Sequence, residues 1–285
     1  MINDKLLVCT DLDRTLIPNG PQSESKQVRS RFAQLTSHPQ VTLTYVSGRD
    51  RKLIEKAIAH YELPNPDFVI GDVGTTLYKV GPELEWVHER NWEDLISEDW
   101  AGKTHTELKQ MLQDISTLRL QEPGKQNRHK LSYYVPIQTQ RESLSQMINA
   151  RFADIGARCN LIWSLDEPRG VGLLDILPSS ASKLHAIELL MQQEGFDNQN
   201  TVFCGDSGND MEVLASQIPA VLVANAAPDV RQLAMELSDA TNYGSALYVA
   251  KGGFFGMNGN YCGGMLEGIA HYHPETLPLM GLNEK

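Results

Sequence analysis

The sequence predicts an α/β protein in which a parallel β-sheet, covered by helices on both faces, is interrupted by a smaller inserted α+β module. Short apolar runs alternate with amphipathic segments in residues 1–82, as in a parallel sheet with helical crossovers. The alternation resumes in residues 169–285. Residues 83–168 contain all four tryptophans and a different pattern of helices and strands. We therefore expect a discontinuous core, residues 1–82 plus 169–285, around a separate domain at residues 83–168.

The first part of the chain contains four predicted strands and two predicted helices. Its strands are short apolar or β-branched runs, and the first run stops at Asp11 as a buried parallel strand does. The first helix is indicated by Val28, Phe32 and Leu35, which recur on one face. The strands are predicted at residues 6–10, 41–46, 68–70 and 75–80, and the helices at residues 24–36 and after residue 49.

The inserted module and the last part are interpreted in the same way. In the module, apolar residues at helical spacing predict helices over residues 108–118 and 144–152, with strands at residues 131–135 and 159–163. Alternation then resumes, and Pro228 lies where the first turn of a last helix accepts proline. The strands of this part are predicted at residues 172–177, 201–204 and 220–223, and a helix at residues 183–194. We assign these strands to the sheet of the first part.

Composition limits the classes of function. The 285 residues include 25 basic and 36 acidic side chains, for a net charge of −11, which argues against a broad nucleic-acid-binding surface. No apolar run is long enough to predict a membrane span, and the first residues lack the layout of a signal peptide. The four cysteines form no close pair, which indicates a reduced compartment without disulfides or a zinc site. We therefore expect a cytoplasmic protein, and we expect it to be a monomer.

Two polar clusters follow the first two predicted strands, where α/β sheets commonly place their sites. Asp11 and Asp13 are carboxylates at positions i and i+2, which converge if the chain turns there. An acidic loop in an acidic protein is the alternative interpretation. Ser47 precedes Gly48 and Arg49, and a hydroxyl beside glycine at a helix start can bind an anion. Ordinary helix capping explains the same residues.

Two further clusters lie in the last part of the chain. Lys183 begins a predicted helix, where a cation opposes the helix dipole and is a candidate for binding an anion. Solvated lysines in first turns are also common. Residues 205–210 place Asp206, Asn209 and Asp210 in a glycine-containing loop after a strand. Oxygen ligands of this kind suit Mg²⁺, whereas a polar turn without a metal is the alternative.

In this order, the four clusters resemble the motifs of the haloacid dehalogenase-like phosphatase superfamily. The matching residues are Asp11 with Asp13, Ser47, Lys183, and Asp206 with Asp210. The resemblance covers nearly the whole chain and implies a Rossmann-like core in which residues 83–168 are similar to a C2-type cap domain. Within the superfamily, the chain most resembles the sucrose-phosphate phosphatase family. That resemblance is carried by residues 67–70, 73–75, 128–135, 174–178, 202–210 and 223–226.

The resemblance and the chemistry of the residues give each motif a predicted role. Asp11 is the candidate nucleophile, which forms an aspartyl-phosphate, and Asp13 is the candidate general acid and base. The Asp11 carboxylate, the Asp13 backbone carbonyl and Asp206 are expected to bind Mg²⁺. Asp210 and Asn209 are expected to orient Asp206 and the metal-bound water.

Phosphoryl and sugar contacts complete the predicted site. Ser47 and Lys183 are expected to hold the phosphoryl oxygens as negative charge builds up on them. The inserted module is expected to close over the site and to select the substrate. The candidate sugar-binding residues, chosen by resemblance and polarity, are Lys130, His129, Gln126 and Arg49. Lys130 can instead mark the exposed end of a strand, and Arg49 can instead brace the first domain.

The sequence therefore predicts a Mg²⁺-dependent phosphatase for a small-molecule sugar phosphate, with sucrose 6-phosphate as the leading candidate. Mannosylfructose phosphate is an alternative, because the glycine-rich residues 251–264 form a longer loop than the family resemblance leads us to expect. That loop suggests a mobile apolar flap or a contact surface. A sugar phosphomutase is a second enzyme alternative, and a catalytically idle sugar-phosphate-binding partner of a glycosyltransferase is the alternative of another class. The predicted protein partner is a glycosyltransferase similar to sucrose-phosphate synthase.

Overall fold

Two β-sheets organise the protein in the computed structural model, which describes residues 5–166 and 169–282. The strands are β1 (Leu6–Thr10), β2 (Val41–Val46), β3 (Phe68–Gly71), β4 (Thr76–Val80), β5 (Trp86–His88), β6 (Arg119–Leu120), β7 (Leu131–Val135), β8 (Cys159–Asp166), β9 (Val171–Pro178), β10 (Thr201–Gly205), β11 (Ala220–Leu222) and β12 (Leu247–Val249). The helices are α1 (Val28–Thr36), α2 (Arg51–Tyr61), α3 (Arg90–Ser97), α4 (His105–Met111), α5 (Arg141–Ala153), α6 (Lys183–Glu194), α7 (Met211–Leu214), α8 (Pro228–Ala240) and α9 (Cys262–Tyr272).

The large sheet has eight strands in the order β12-β11-β10-β1-β2-β3-β4-β5. Its strands from β12 to β3 run parallel, and β4 and β5 are added antiparallel at one edge. Alternate residues of the central strand face opposite sides: Leu6 and Val8 pack in one apolar cluster, whereas Leu7 and Cys9 pack in another. Both faces are therefore covered by helices, which explains why β1 is an unbroken apolar run.

Parallel pairing fixes where the predicted catalytic clusters meet. The register pairs Thr10 at the end of β1 with Tyr45 of β2 and with Cys204 of β10. The residues after these strands consequently emerge at one edge of the sheet. Asp11, Ser47 and Asp206 all leave the sheet at this edge.

The small sheet is antiparallel and has the order β6-β7-β9-β8. Its strands, with helices α4 and α5, form a group of elements that we call the small-sheet unit. Its own apolar cluster includes Trp100, Leu131, Ile148, Phe152 and Ile176. This unit corresponds to the inserted α+β module that the sequence predicts.

The two sheets divide the chain at different points from the predicted boundaries at residues 82/83 and 168/169. β5 is part of the large sheet, and Trp92 and Ile96 of α3 pack in an apolar cluster of that sheet. The strand predicted at residues 172–177 exists as β9, but it pairs with β7 and β8 and not with the large sheet. Periodicity identifies a strand without identifying its partner, which is why the assignment of β9 to the core was wrong.

The glycine-rich residues 251–264 are anchored to the rest of the protein. Glu267 of α9 is buried and accepts hydrogen bonds from the Lys251 and Gly252 backbone N–H groups, each at 2.9 Å. Asn258 donates to the Ser23 carbonyl at 2.8 Å. These hydrogen bonds hold the loop at three of its residues, and the flap or contact surface that the sequence suggests stays a prediction. Within the described residues, no helix combines the length and apolarity that a membrane crossing requires.

Candidate active site

Lys183 lies at the centre of the candidate site. It is the first residue of α6, and its Nζ donates to Asp11 Oδ1 at 2.9 Å and to Asp210 Oδ1 at 2.6 Å. It also donates to Asn209 Oδ1 at 2.9 Å. Burial opposes the charged ammonium, but the charges of Asp11 and Asp210 more than offset it and raise the pKa of Lys183. The side chain therefore stays protonated and links Asp11 of the first predicted cluster to Asn209 and Asp210 of the last.

Asp11 is a buried carboxylate directly after β1. Burial raises its pKa well above the usual value, and Lys183 opposes this shift, while Asp210, Asp206 and Asp13 add to it. A buried carboxylate with several acidic neighbours is stabilised in its ionised form only by added positive charge. Lys183 supplies part of that charge.

The loop after β10 is organised around Asp210. Asp210 Oδ2 accepts hydrogen bonds from the backbone N–H groups of Asp206 and Ser207, both at 3.1 Å, while Oδ1 accepts from Lys183. Both carboxylate oxygens are therefore engaged, which suits the predicted orienting role better than direct metal binding. Asn209 accepts from Lys183 and from the Ser207 hydroxyl, so it orients the same ammonium group.

The acidic cluster fits a hard divalent cation. Carboxylate oxygens of Asp11, Asp206 and Asp210 lie within 4.8 Å of one another, and all three side chains are buried. Burial and the charge of Asp210 raise the pKa of Asp206 to about 7, and an added cation would favour its ionised form. Mg²⁺ prefers oxygen ligands of this type. Asp11 and Asp206 are the residues that would bind it.

Asp13 is paired with Arg49. The Arg49 guanidinium donates to both carboxylate oxygens, at 2.7 and 2.6 Å, and Asn19 Nδ2 donates to Asp13 Oδ1 at 2.6 Å. Burial alone would raise the pKa of Asp13, but the hydrogen bonds and the charge of Arg49, with the Asn19 hydrogen bond, hold it below its usual value. In this arrangement Asp13 is held in its ionised form, and the same hydrogen bonds make it a weaker base than a free carboxylate.

Ser47 is buried one residue after β2. Its Oγ accepts from the Arg49 backbone N–H at 3.2 Å, and its backbone carbonyl accepts from Val73 N–H at 3.1 Å. The contact with Arg49 N–H is local, as expected at a helix start. The Ser47–Arg49 turn lies beside Asp13, which the Arg49 side chain reaches.

A cavity of about 540 Å³ is lined by Asp11, Asp13, Arg49, Asp206 and Asn209, whereas the predicted site residues Ser47, Lys183 and Asp210 are not among its lining residues. Its volume lies within the usual range for small-molecule sites. The large sheet contributes Asp11, Asp13 and Asp206 to its walls, and the small-sheet unit contributes Ser132, Trp163 and Asp175. The cavity therefore lies between the two sheets, with the candidate catalytic carboxylates on one side only.

Two of the four predicted sugar-binding residues, Arg49 and Lys130, line this cavity. Lys130 is buried and its Nζ donates to Asp72 Oδ1 at 2.7 Å. The alternative interpretation, in which Lys130 marks an exposed strand end, is therefore wrong. Arg49 both lines the cavity and pairs with Asp13, so it can brace the first domain and face a ligand.

The other two, Gln126 and His129, are not among the lining residues of the cavity. Gln126 Nε2 donates to the Ser132 carbonyl at 2.9 Å, and its Oε1 accepts from the Ser132 N–H at 2.9 Å. His129 is buried against Trp100, with ring centroids 5.6 Å apart. The structure gives both residues packing or backbone contacts in place of the predicted sugar contacts.

Sequence reasoning missed three residues of the site. Arg14 Nε lies 3.4 Å from Asp206 Oδ2, and the Arg14 backbone carbonyl accepts from Asn225 Nδ2 at 2.7 Å. Asp72 holds Lys130 in the wall of the cavity. Asn225 stands in the segment that carried the family resemblance, which was the available signal. For Asp72 the sequence offered only its position before a glycine turn.

Comparison with known proteins identifies the family of the chain. The sequence model of the family described as Sucrose-6F-phosphate phosphohydrolase matches residues 4–273. The chain belongs to this family. It is therefore a phosphatase, a phosphoric monoester hydrolase of the haloacid dehalogenase-like superfamily, and it acts on sugar phosphates. An idle binding protein is thereby set aside.

The alignments with individual relatives cover different shares of each relative's length. A putative HAD-like hydrolase of Nitrosococcus oceani is 50% identical over 275 residues, which are 96% of this chain and 74% of that protein. Mannosylfructose-phosphate phosphatase of Agrobacterium fabrum is 28% identical, over 93% of this chain and 96% of its own. Sucrose-phosphatase 2 of Nicotiana tabacum is 28% identical over 80% of this chain, which spans about half (52%) of that protein.

A solved structure supports the fold assignment. The sucrose-phosphatase of Synechocystis sp. PCC6803, in complex with sucrose and phosphate, has a TM-score of 0.74 and 25% sequence identity. The similarity covers 95% of this chain and 98% of that one. The predicted α/β class with an inserted α+β module is confirmed.

Proposed function

We propose that this protein is a Mg²⁺-dependent phosphatase that hydrolyses a disaccharide phosphate, with sucrose 6-phosphate as the leading substrate. The observation that carries the proposal is the Lys183 ammonium, buried in contact with both Asp11 and Asp210. Asp11 and Asp206 line a cavity large enough for a sugar phosphate, and Lys183, which is not among the lining residues, contacts Asp11. The family match supports a sugar phosphate as substrate.

Hydrolysis would proceed in two steps. An Asp11 carboxylate oxygen attacks phosphorus, the bond from phosphorus to the sugar oxygen breaks, and an aspartyl-phosphate forms. Asp13, protonated beforehand, gives its proton to the leaving sugar oxygen. In the second step Asp13 takes a proton from water, whose oxygen attacks phosphorus and releases Asp11 and inorganic phosphate.

Charge complementarity explains the surrounding groups. Lys183 is proposed to hold a phosphoryl oxygen, for which its ammonium must release one of the three acceptors to which it donates in the structure. Ser47 is the proposed hydroxyl donor to the same phosphoryl group. Mg²⁺, held by Asp11, Asp206 and the Asp13 backbone carbonyl, would supply the positive charge that lets an anionic nucleophile approach an anionic phosphate. Without it, two unit charges about 4 Å apart repel by about 4 kcal/mol near a protein surface.

Asp13 must gain a proton before it can act as the acid. In the structure Arg49 holds its pKa below the usual value, so the protonated form requires the guanidinium to release the carboxylate. Arg49 lines the cavity and can transfer its hydrogen bonds to an incoming anionic or hydroxyl-rich substrate. We propose that substrate binding frees Asp13 in this way.

Mannosylfructose phosphate is the second candidate substrate. The Agrobacterium fabrum phosphatase named for it aligns over 96% of its own length, whereas the Nicotiana tabacum sucrose-phosphatase aligns over 52%. A glycosyltransferase partner stays a prediction. A protein named glucosylglycerol-phosphate synthase from Pseudomonas anguilliseptica aligns with 94% of this chain through 31% of its own length. This alignment supports a link between the phosphatase proposed here and a synthase that makes a sugar phosphate.

The test is phosphate release from a panel of substrates, with Mg²⁺ and with EDTA. The panel contains sucrose 6-phosphate, mannosylfructose phosphate, trehalose 6-phosphate, glucose 6-phosphate and mannosyl-3-phosphoglycerate, and the matched control is Asp11→Asn. We expect one of the first two to be preferred, and activity to vanish with EDTA and in the variant. Equal low rates on all five would refute the disaccharide assignment, and EDTA-insensitive turnover would refute the metal requirement.

A further inference from the structure

The turn at residues 72–75, between β3 and β4, touches both halves of the cavity. Three consecutive residues, Asp72, Val73 and Gly74, have positive φ values of 51°, 61° and 97°. Such a run of left-handed residues is strained and persists only where its surroundings hold it. The contacts that hold this turn in place therefore indicate its role.

On its large-sheet side, the turn contacts the proposed phosphoryl site, by which we mean Ser47, Arg49 and the start of α6 at Lys183. The Asp72 N–H donates to the Arg49 carbonyl at 2.9 Å, and the Val73 N–H donates to the Ser47 carbonyl at 3.1 Å. Gly74 lies against the backbone of Ser182, immediately before Lys183. The turn thus contacts the backbone on both sides of the proposed phosphate-binding groups.

The opposite side of the turn holds the small-sheet unit. Asp72 Oδ1 accepts from Lys130 Nζ at 2.7 Å, with both side chains less than a tenth exposed. Thr75 Oγ1 accepts from Asn127 Nδ2 at 2.8 Å. A buried ion pair is costly to form but also costly to break at one partner only, because the other charge is then left without compensation. It is therefore suited to hold one arrangement of two units.

Lys130 also faces the cavity beside a second carboxylate. Asp175 lines the same wall, and its carboxylate accepts a hydrogen bond from the Ser132 hydroxyl. The ammonium of Lys130 lies close enough to lower the pKa of Asp175, although burial raises that pKa overall. Lys130 therefore has two acidic neighbours, and the ion pair with Asp72 decides where its Nζ lies.

We propose that Asp72 is a positioning residue. Its ion pair with Lys130, which we call the clasp, holds the small-sheet unit against the phosphoryl site and keeps Lys130 in the cavity wall. The proposal rests on the proposed function, since it takes the cavity to receive a sugar phosphate. The same turn that fixes Lys130 contacts Ser47, Arg49 and the start of α6. Recognition of the sugar is thereby coupled to alignment of its phosphate.

Asp72→Asn tests this clasp with little other change. Asparagine keeps the side-chain volume and tolerates positive φ as well as aspartate does, but it removes the charge that pairs with Lys130. The matched control is Asp114→Asn. It removes an ion pair between Asp114 and Arg151 that lies wholly within the small-sheet unit. Both variants therefore lose one carboxylate and one ion pair.

The first readout is the ratio of kcat/KM for sucrose 6-phosphate to kcat/KM for p-nitrophenyl phosphate, a probe that carries no sugar. We expect Asp72→Asn to lower this ratio at least tenfold and Asp114→Asn to change it less than threefold. Adding Asp72→Asn to Lys130→Met should lower it no further than Lys130→Met alone, because the two residues act as one unit. A ratio within twofold of wild type, or independent multiplying effects, would overturn the proposal.

The second readout needs no substrate. Hydrogen–deuterium exchange of the Mg²⁺-loaded protein should be at least tenfold faster in residues 126–131 and 72–76 of Asp72→Asn, and unchanged there in Asp114→Asn. Unchanged exchange in Asp72→Asn would overturn the clasp. If wild type hydrolyses no disaccharide phosphate, the proposed substrate class fails, and the exchange rates still decide whether the clasp exists.

Discussion

Replacing Gly74 with alanine tests whether the 72–75 turn fixes the start of α6. Gly74 has φ +97°, and a Cβ there would overlap the Ser182 carbonyl and lie 2.7 Å from Lys183 N. Non-bonded carbon atoms approach no closer than about 3.5 Å without penalty. The start of α6 and the turn must therefore separate by about 0.8 Å or more.

The cost has two parts. Placing alanine in a left-handed conformation costs about 1–2 kcal/mol, and the overlap costs a further 1–3 kcal/mol or so. We therefore expect the free energy of unfolding to fall by about 2–5 kcal/mol. Since Lys183 begins the displaced helix, and a displacement of about 1 Å can lower catalysis roughly a hundredfold, activity should fall by about that factor.

The measurements are urea unfolding and kcat/KM for p-nitrophenyl phosphate with Mg²⁺. Gly102→Ala is the matched control, because Gly102 has φ +75° but no atom lies within 4 Å of the point that a Cβ would occupy. It should lose only the conformational part, about 1–2 kcal/mol, and keep its activity. If Gly74→Ala lost no more stability than Gly102→Ala and kept activity within threefold, the close approach would not be what positions Lys183.

Three further predictions concern separate groups. Asp13→Asn should lower kcat at least about a hundredfold, the usual size of a general acid–base contribution, and phosphate release within tenfold of wild type would contradict its role. Burial lowers the pKa of His129 to about 4 from an unfolded value of about 6.5, so the neutral form stabilises the fold above pH 6.5 and this contribution is lost as pH falls toward 4. In urea unfolding, the free energy of unfolding of wild type should fall by about 1 kcal/mol more between pH 7.5 and pH 5 than that of His129→Phe, with partial solvent screening included. Equal losses in the two proteins would contradict the lowered pKa of His129. Glu267→Gln should lower the free energy of unfolding by about 1–3 kcal/mol, because one acceptor oxygen for the Lys251 and Gly252 N–H groups is lost, while kcat/KM changes less than twofold; a stability equal to wild type in urea unfolding would argue against this anchoring role.

The large sheet was predictable because its strands carry their own evidence. Central parallel strands are buried on both faces and read as apolar runs, so β1, β2 and β10 were located from sequence. β9 was located too, but its sheet was wrong. An alternating strand looks the same whether its neighbours come from one unit or another. β9 pairs with the preceding strand β8 and with the distant strand β7, in which Leu131 lies opposite Ile176.

Only some residues of the candidate site could be predicted from the sequence. Asp11 and Asp206 were predicted as neighbours because parallel strands bring the residues after their carboxyl ends to one edge. Lys183 begins α6 after β9 of the antiparallel small sheet, so its prediction depended on its helix start and on the family resemblance. The contacts of Gln126 and Asp72 could not be predicted. Residue type shows that a side chain is polar, but only the packed structure shows that Gln126 satisfies the Ser132 backbone and that Asp72 meets Lys130, 58 positions along the chain.

The division of the cavity between two sheets has a consequence for divergence within the family. The carboxylates proposed to act on phosphate, Asp11, Asp13 and Asp206, follow strands of the large sheet, whereas residues 163–165 of β8 and Leu173 and Asp175 of β9 line the other half of the cavity. These small-sheet positions are separate along the chain from the loops that hold the carboxylates. Evolution, or a small combinatorial library at these positions, can therefore exchange one sugar for another while the hydrolytic chemistry is inherited intact.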